Sequence, residues 1–335
     1  MDQDRLIALL ASRSGYLSGQ EMSQELGVTR GAVWKELSAL REQGWPISSS
    51  TRLGYRLDGP PPTLSGAYLE GVLGNTISSG HIHVFDRVDS TNTTLKAMAA
   101  QGAPHGTVVA ALEQTAGRGT RGRTFSSPPG GLYLSLLLRP QVELSQLFSL
   151  TGWVAVAVRD AIQQASGAPV RIKWLNDIYL NQRKLCGILT ELSLLGESSE
   201  PDYVVVGVGI NLAQSAQAFR ELGLEGIATS LSQEGYPVEV NHMALTLLRS
   251  LHTMAQRFPQ DQEDYLQAYR SHCLTLNQPV EVEEGRQTYP ATARAVLPDF
   301  SLEVVDGQGN THPVSSGRVT PLSLHPNSRR EDTQP

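Results

Sequence analysis

The stretch Gln114-Thr-Ala-Gly-Arg-Gly-Thr-Arg-Gly-Arg123 constrains this chain more than any other. Ten residues hold three glycines and three arginines. Glycine lets a backbone reach positive φ and come close to a ligand. Guanidinium groups fork onto phosphate or carboxylate oxygens. Such a charge density cannot be buried unpaired, so the stretch is predicted to be a mobile surface loop that closes on an anion. No Gly-Lys-Ser/Thr follows at Walker spacing, so it is not a P-loop. A flexible basic loop without a ligand remains the alternative. The apolar run Thr107–Glu113 leads into it. A buried strand there delivers Gln114 and the arginines to its carboxyl end, where open sheets place ligands.

The 335 residues leave room for two or three domains. The formal net charge of -6 argues against a general nucleic-acid coat, so any DNA contact must be local. Two distant cysteines, Cys186 and Cys273, fit a reducing cytosol better than a disulfide scaffold. The N-terminus lacks the flanks of a signal peptide, and no apolar run approaches the ~18 residues of a membrane span. A cytoplasmic protein with no membrane partner is expected.

In the first sixty residues a helix is predicted from near Asp2. A second follows the capping box Ser18-Gly-Gln-Glu21. Gly27 ends it, and Thr29 caps a third carrying Val33, Leu37 and Leu40. That is a helix-turn-helix pattern. The third helix would enter the major groove, with Thr29 at its start, Arg30, Trp34, Lys35 and Ser38 outward, and Arg41 reaching phosphate. Trp45–Leu57 reads as two short strands with Arg52 near the tip, the wing of a winged helix. Residues 1–62 hold seven acidic and seven basic side chains. Monomeric DNA binding is therefore expected to be weak, and a homodimer to be needed. Gly59-Pro-Pro-Pro62 is predicted to be a stiff linker.

Further on, Val84-Phe85 is a predicted strand leading to Ser90-Thr-Asn92, where the helical run Thr93–Ala100 begins. Hydroxyls and free amides there suit a polar or anionic group, or Ser90 is simply an N-cap. Leu132–Arg139 is a strand, and Leu144–Gly167 a single long helix in which Gly152 suggests close packing. Val170-Arg-Ile-Lys-Trp-Leu-Asn-Asp177 ends a strand in Lys173, Trp174, Asn176 and Asp177. A carboxylate beside an amide suits Mg²⁺ on nucleotide oxygens, or marks a turn. Lys184–Leu192 returns as a strand, with Lys184 pointing into the site or into water. Tyr203–Asn211 is a buried strand whose Gly207 and Gly209 share one face, a flat floor for a ligand. Val240–Phe258 and Gln260–Cys273 are amphipathic helices. From Gln278 short alternating strands take over.

Five segments occur in the order seen in biotin protein ligases: Ser90–Asn92, Gln114–Arg123, Lys173–Asp177, Lys184–Glu191 and Gly207–Asn211. With the helix-turn-helix, the chain resembles the bifunctional bacterial type, ligase and biotin-operon repressor in one. The resemblance implies an α+β fold. A winged helix-turn-helix would occupy 1–62, a mixed-sheet biotin/ATP-binding domain 63–275 and an SH3-like barrel 276–325, with 326–335 a disordered tail. It implies ATP-dependent formation of biotinyl-5′-adenylate, with Mg²⁺, and transfer of biotin to a lysine of the biotin carboxyl carrier protein of acetyl-CoA carboxylase. It also implies a homodimer that forms on adenylate binding and occupies operator DNA. By the same resemblance Ser90, Thr91, Asn92, Gln114, Arg118, Gly119, Thr120, Lys184 and Gly187 hold biotin. Arg121, Arg123, Lys173, Trp174, Asn176 and Asn211 serve ATP. Asp177 serves Mg²⁺, and Lys184, Arg118 and Asp177 are catalytic. A ligase with a non-repressing helix-turn-helix, a metabolite-sensing transcription factor without ligase activity, and a lipoate ligase are the competing readings.

Three positions depart from the family pattern. Many relatives carry arginine at Thr120 and proline at Leu175, and an acidic residue stands where this chain has Arg318. Lacking the guanidinium at position 120, the chain is expected to lose its adenylate faster than relatives that have it. Adenylate dissociation measured side by side checks this; a rate no faster than theirs contradicts it.

Overall fold

The structure, a computed structural model, describes residues 2–74, 81–196 and 200–324. The tail expected at 326–335 lies outside them. Among the described residues no helix is long and apolar enough to cross a membrane.

The N-terminal signals fold as their chemistry dictates. Helix α1 (Gln3–Ala11) starts where the Asp2 carboxylate accepts from the Asp4 amide at 3.1 Å. Helix α2 (Gly19–Leu26) opens on the reciprocal box: the Glu21 amide donates to Ser18 Oγ at 3.1 Å, and the Ser18 amide to Glu21 Oε2 at 2.8 Å. Thr29 caps α3 (Arg30–Glu42). Leu6, Leu10, Met22, Val33, Leu37 and Leu40 interlock as one apolar core. Strands β1 (Ile47–Ser50) and β2 (Gly54–Leu57) form an antiparallel wing. A Cβ on Gly54 would lie 2.1 Å from the Leu17 carbonyl oxygen, so only glycine lets the wing close on the loop before α2.

Gly59–Pro62 is not a free spacer. Asn241 Nδ2 donates to the carbonyls of Pro61 and Thr63, and its Oδ1 accepts from the Ser65 amide. Helix α4 (Gly66–Leu73) then faces two ways: Ala67 packs into the N-terminal core, Leu69 and Leu73 into the main one.

The centre is a seven-stranded mixed sheet. Its strands are β3 (Ile82–Val88), β4 (Val108–Gln114), β5 (Gly131–Leu138), β6 (Arg171–Lys173), β7 (Asp177–Leu180), β8 (Arg183–Leu194) and β9 (Pro201–Asn211), in the order β3-β4-β5-β9-β8-β7-β6. Only β3 and β4 run parallel, joined through α5 (Thr91–Ala100). The single helix expected over 144–167 is two: α6 (Leu144–Leu147) and α7 (Leu150–Ser166). Between them Ser149 Oγ donates to the Gln146 carbonyl, a local bond that competes with the helix ladder. Helix α8 (Ala216–Glu221), not foreseen, is capped by Ser215. Helices α9 (Val240–Arg257) and α10 (Gln262–His272) complete the layer over α7. There Trp153 stacks on Tyr265 with ring centres 4.0 Å apart.

The C-terminal strands are β10 (Pro279–Glu284), β11 (Gln287–Val296), β12 (Leu302–Asp306), β13 (Thr311–Val314) and β14 (Arg318–Pro321), ordered β13-β12-β11-β10-β14. A small closed barrel was expected; the sheet is open. Both edge strands are only four residues long, and each pairs with one neighbour alone. Alternation in sequence says which face is buried and does not say whether two edges meet. Val280, Val282, Phe300, Leu302 and Val304 join the main core, so this sheet shares the apolar core of the central domain. Trp174 Nε1 donates to the Phe300 carbonyl at 2.9 Å, and the Phe300 ring lies against Gly152 of α7.

A Cβ on Gly152 would fall 2.0 Å from Phe300 Cδ1. Gly152→Ala is therefore expected to destabilise the chain by about 1–3 kcal/mol through overpacking. A urea midpoint lowered at unchanged slope checks it.

Candidate active site and nucleic-acid interface

One cleft of about 220 Å³ lies over the carboxyl end of β4 and the inner ends of β8 and β9. Its floor is glycine. Gly187 of β8 stands directly opposite Gly209 of β9, with Gly207 two residues further along the same face. A Cβ on Gly207 would meet Asn92 Oδ1 at 2.2 Å; one on Gly209 would meet the Phe125 ring at 2.5 Å. The floor is thus covered by an amide at one end and an aromatic ring at the other.

The polar end is a closed hydrogen-bond chain. Gln114 Oε1 accepts from both the amide and the hydroxyl of Thr91, at 2.8 and 3.1 Å, while its Nε2 donates to Ser127 Oγ. Ser135 Oγ lies 2.8 Å from Thr91 Oγ1 and 2.6 Å from Asn92 Oδ1. Asn92 Nδ2 donates to Glu191 Oε2 at 2.8 Å, and Lys96 Nζ binds the other oxygen of that carboxylate at 2.9 Å. Burial alone would raise the Glu191 carboxyl, but these bonds hold it below its ordinary range. Ser90 is the N-cap of α5, accepting from the Thr93 amide. The amides of Thr91 and Thr93 are thus spent within the fold.

Above the floor runs the arginine stretch. It was expected as a mobile loop. It is a ribbon folded back on itself: the Gly119 amide donates to the Arg123 carbonyl at 2.7 Å, and the Phe125 amide to the Gly117 carbonyl at 2.9 Å. The ribbon brings Arg118, Gly119, Thr120 and Arg123 to the cleft. Arg118 reaches Glu191 at 3.9 Å. Thr120 begins a short 3-10 turn, where its carbonyl accepts from the amide and Nε of Arg123. Arg121, at φ 58°, does not line the cleft; its guanidinium approaches Gly317 of the C-terminal sheet.

The opposite wall carries Lys184, whose Nζ is 2.6 Å from Asp177 Oδ1 and 5.5 Å from the centre of the Phe125 ring. It points into the site, not into water. Burial would raise the Asp177 carboxyl; Lys184 first and Lys173 next hold it below the ordinary carboxylate range. Lys173 is itself buried, and burial lowers it to about 8. Lys184, Arg318 and Arg123 push it the same way, against Asp177. Asn176 lines the cleft and gives its Nδ2 to the Ile188 carbonyl. Trp174 also lines it, but its indole nitrogen is committed to Phe300; Leu175 follows through a cis peptide. Asn211, expected at the nucleotide, is turned away: its Nδ2 donates to the Thr229 carbonyl and its Oδ1 accepts from Gln214. Thr229 and Ser230 are fully buried, and Ile227 just before them lines the cleft.

Mg²⁺ was expected at Asp177. Asp177 is the one carboxylate among the described residues that line the cleft, and Lys184 already holds it. No cluster of three potential metal ligands exists among the described residues. These donors alone do not fit a resident Mg²⁺, which takes six oxygens.

Phe125, Ser127, Ser135 and Glu191 escaped the sequence reading. Ser135 left a signal, being the sole serine or threonine in the apolar strand Gly131–Leu138. Phe125 left none, and Glu191 only closes the Lys184–Glu191 segment, since folding alone sets them against the glycine floor and Asn92.

A second concave surface lies between α3 and the wing, where Arg30, Trp34 and Arg52 converge with the start of α2. Trp34 is 62% exposed on this surface. Lys35 is exposed on α3 outside that groove. Thr29 serves as cap, and Ser38 donates to the Trp34 carbonyl. Arg41, expected to reach phosphate, instead gives its Nε to the Ile47 carbonyl and sits over the Tyr55 ring.

Residues 84–211 match the biotin/lipoate A/B protein ligase family, and residues 3–56 an HTH domain. The bifunctional ligase/repressor BirA of Bacillus spizizenii is 41% identical over 221 residues, 66% of this chain and 67% of that one. This chain belongs to the biotin protein ligase family. A biotin protein ligase that shares both of its ends is the bifunctional ligase/repressor BirA of Escherichia coli, 29% identical over 318 residues, 94% of this chain and 96% of that one. Among solved biotin protein ligases, the Aquifex aeolicus enzyme in complex with biotin and ATP superposes with a TM-score of 0.60 at 26% identity. It covers 72% of this chain and 98% of its own.

Lys173 carries a consequence for stability. Its folded pKa lies below its unfolded one, so the buried cation costs stability in full below about pH 8. The cost fades as pH climbs from there towards the ordinary lysine value. Lys173→Met is expected to raise the ligand-free melting temperature at pH 7, by a gain on the order of 3 kcal/mol at most, and to lose that advantage as pH rises through this window. Melting curves from pH 7 to 10 check it; an unchanged or lowered melting temperature at pH 7 contradicts it.

Proposed function

We propose that this chain activates biotin with ATP, giving biotinyl-5′-adenylate and pyrophosphate, and then transfers biotin to a lysine of a biotin carboxyl carrier protein. The observation that carries this reading is the placement of Lys184. It stands between a hydrogen-bonding pocket at the start of α5 and a cluster of cations, over a floor with no side chains. That is where a carboxylate must meet a phosphate.

In this reading the fused ring of biotin occupies the polar end, with Thr91, Asn92 and Gln114 as partners and Ser90 holding the helix start in place. Gly187, under the Phe125 ring, borders the path of the acyl chain, and the backbone of Gly119 and Thr120 covers it. The carboxylate attacks the α-phosphorus, forming the acyl–phosphate bond as the bond to pyrophosphate breaks. Lys184 and Arg118 offset the charge that grows on the equatorial oxygens. Asp177 positions Lys184. Arg123 and Lys173 face the departing pyrophosphate, and Asn176 and Trp174 border the nucleotide. The cover formed by the arginine ribbon keeps water from the mixed anhydride. In the second step the carrier lysine attacks the acyl carbon, AMP leaves, and the nitrogen gives up its proton.

The N-terminal module makes the chain a biotin-operon repressor as well, with the adenylate as corepressor. Arg30, Trp34 and Arg52 line a groove suited to a DNA backbone. Equal numbers of acidic and basic side chains in residues 1–62 leave a single copy little net attraction for phosphate. A homodimer formed on adenylate binding would double the contacts.

Incubation with biotin, ATP and a carrier domain, followed by mass measurement, is expected to add one biotin to the carrier; no gain overturns the ligase reading. Lys184→Ala is expected to cut adenylate formation at least about a hundredfold, the usual scale of a lost transition-state contact, with the fold kept. Pyrophosphate release near the parent rate would remove Lys184 from this role.

A further inference from the structure

We infer that Glu234 is a positioning residue for Lys184: it pins the turn and the bulge that bring this lysine into the cleft. The inference rests on the adenylate-forming reading above and adds to it a residue that touches no substrate.

Alternation alone would put Lys184 on the wrong side of its strand. Gly187 faces the cleft, and a Cβ there would lie 3.3 Å from Lys184 Nζ. Residues three apart in a regular strand face opposite sides of the sheet. The pairing of β7 with β8 shifts between these two: Tyr179 stands opposite Lys184, but Ile178 stands opposite Cys186. Leu185 is the extra residue of a bulge, and a bulge re-aims the side chains beside it. Its place in the strand is decisive, since a slip of one residue would reverse the face that Lys184 presents.

Glu234 holds that arrangement from three sides. Asn181 and Gln182 join β7 to β8 at φ 47° and 62°, a two-residue turn in which neither member is glycine. Asn181 Nδ2 donates to Glu234 Oε2 at 2.6 Å. Arg183, the first residue of β8, pairs with Glu234 Oε1. Thr229 Oγ1 donates to that same oxygen at 2.6 Å. The segment carrying Thr229 flanks Lys184 directly. The Lys184 amide donates to the Ile227 carbonyl, and the Lys184 carbonyl accepts from the Thr229 amide, both at 2.9 Å. The Glu234 side chain is only 6% exposed, and a carboxylate so buried is tolerated where its partners satisfy it. One carboxylate thus ties the turn before Lys184 to the segment beside it. Glu234 is not among the residues that line the cleft, so its influence on the reaction passes through Lys184.

The test uses the full chain with Glu234→Ala, Glu234→Gln and Asn181→Gly. Glycine accepts the positive φ of the turn, so the last variant removes only the bond to Glu234 and keeps the test open if Glu234→Ala does not fold. In the ligand-free chain, backbone hydrogen exchange at Lys184 and Thr229 is expected to quicken at least about tenfold in Glu234→Ala, and by less in the other two, the mark of a local opening. Exchange in β5 holds. In steady-state adenylation the kcat of Glu234→Ala is expected to fall at least about tenfold, the scale of a small misplacement of a reacting group, while the KM for biotin holds. Asn181→Gly shows the same pattern at smaller size. In a Lys184→Ala background the same substitutions cost less than about twofold, because the group they position is gone. A merely structural role would cost the same in both backgrounds and would move the KM for biotin as well. Unchanged exchange in all three variants overturns the inference, as does an equal loss in both backgrounds. Because exchange needs no turnover, failure there leaves the ligase reading standing. A parent that forms no adenylate, with exchange quickened in the variants, sinks the ligase reading alone.

Discussion

The ion pair between Lys184 and Asp177 is the contact around which the catalytic half is built. Taking either charge from water alone would be costly, and taking both is tolerable only because they meet at 2.6 Å. Everything close to the pair reinforces it. The register of β7 on β8 sets Asp177 opposite Gly187, three residues from Lys184, so the two side chains converge over a strand pair with no bulk between them. The pair leaves Lys173, Arg123 and Arg318 without a matching carboxylate in the cleft. That imbalance gives the cleft a net positive lining.

Structural and chemical demands pull against each other at several points. The buried Lys173 and the exposed Trp34 both cost free energy in the unliganded chain. Lys173 lies at the cleft and Trp34 at the groove between α3 and the wing. Places where local preference is violated are where function is expected to sit. The glycine floor is a further case: Gly187, Gly207 and Gly209 weaken their strands, and in return Asn92 and Phe125 close directly on the backbone.

The three parts of the chain are also less separate than their sequences imply. Asn241 ties the proline-rich segment to α9, and α4 shares its faces between two cores. The C-terminal sheet leans on α7 through Phe300 and Gly152 and takes the Trp174 indole.

Sequence alone determined what depends on near neighbours. The caps at Ser18, Thr29 and Ser90, the break at Gly27, the wing and the alternating glycines follow from hydrogen bonds and periodicities spanning a few residues. The ordered motifs gather around one cleft, because they lie at strand ends and helix starts that local signals mark. Only the tertiary structure decided the rest. It turned Asn211 away and spent its amide on Thr229, held Arg41 within the wing, broke the helix at Ser149 and left the C-terminal sheet open. It brought Glu191 to Asn92 and Arg318 to Lys173 across 99 residues in the first case and two sheets in the second. Which way a side chain faces at a strand end depends on what packs over it, and a one-residue change of register reverses the answer. That information resides in contacts between distant segments, so it exists only once the chain has folded.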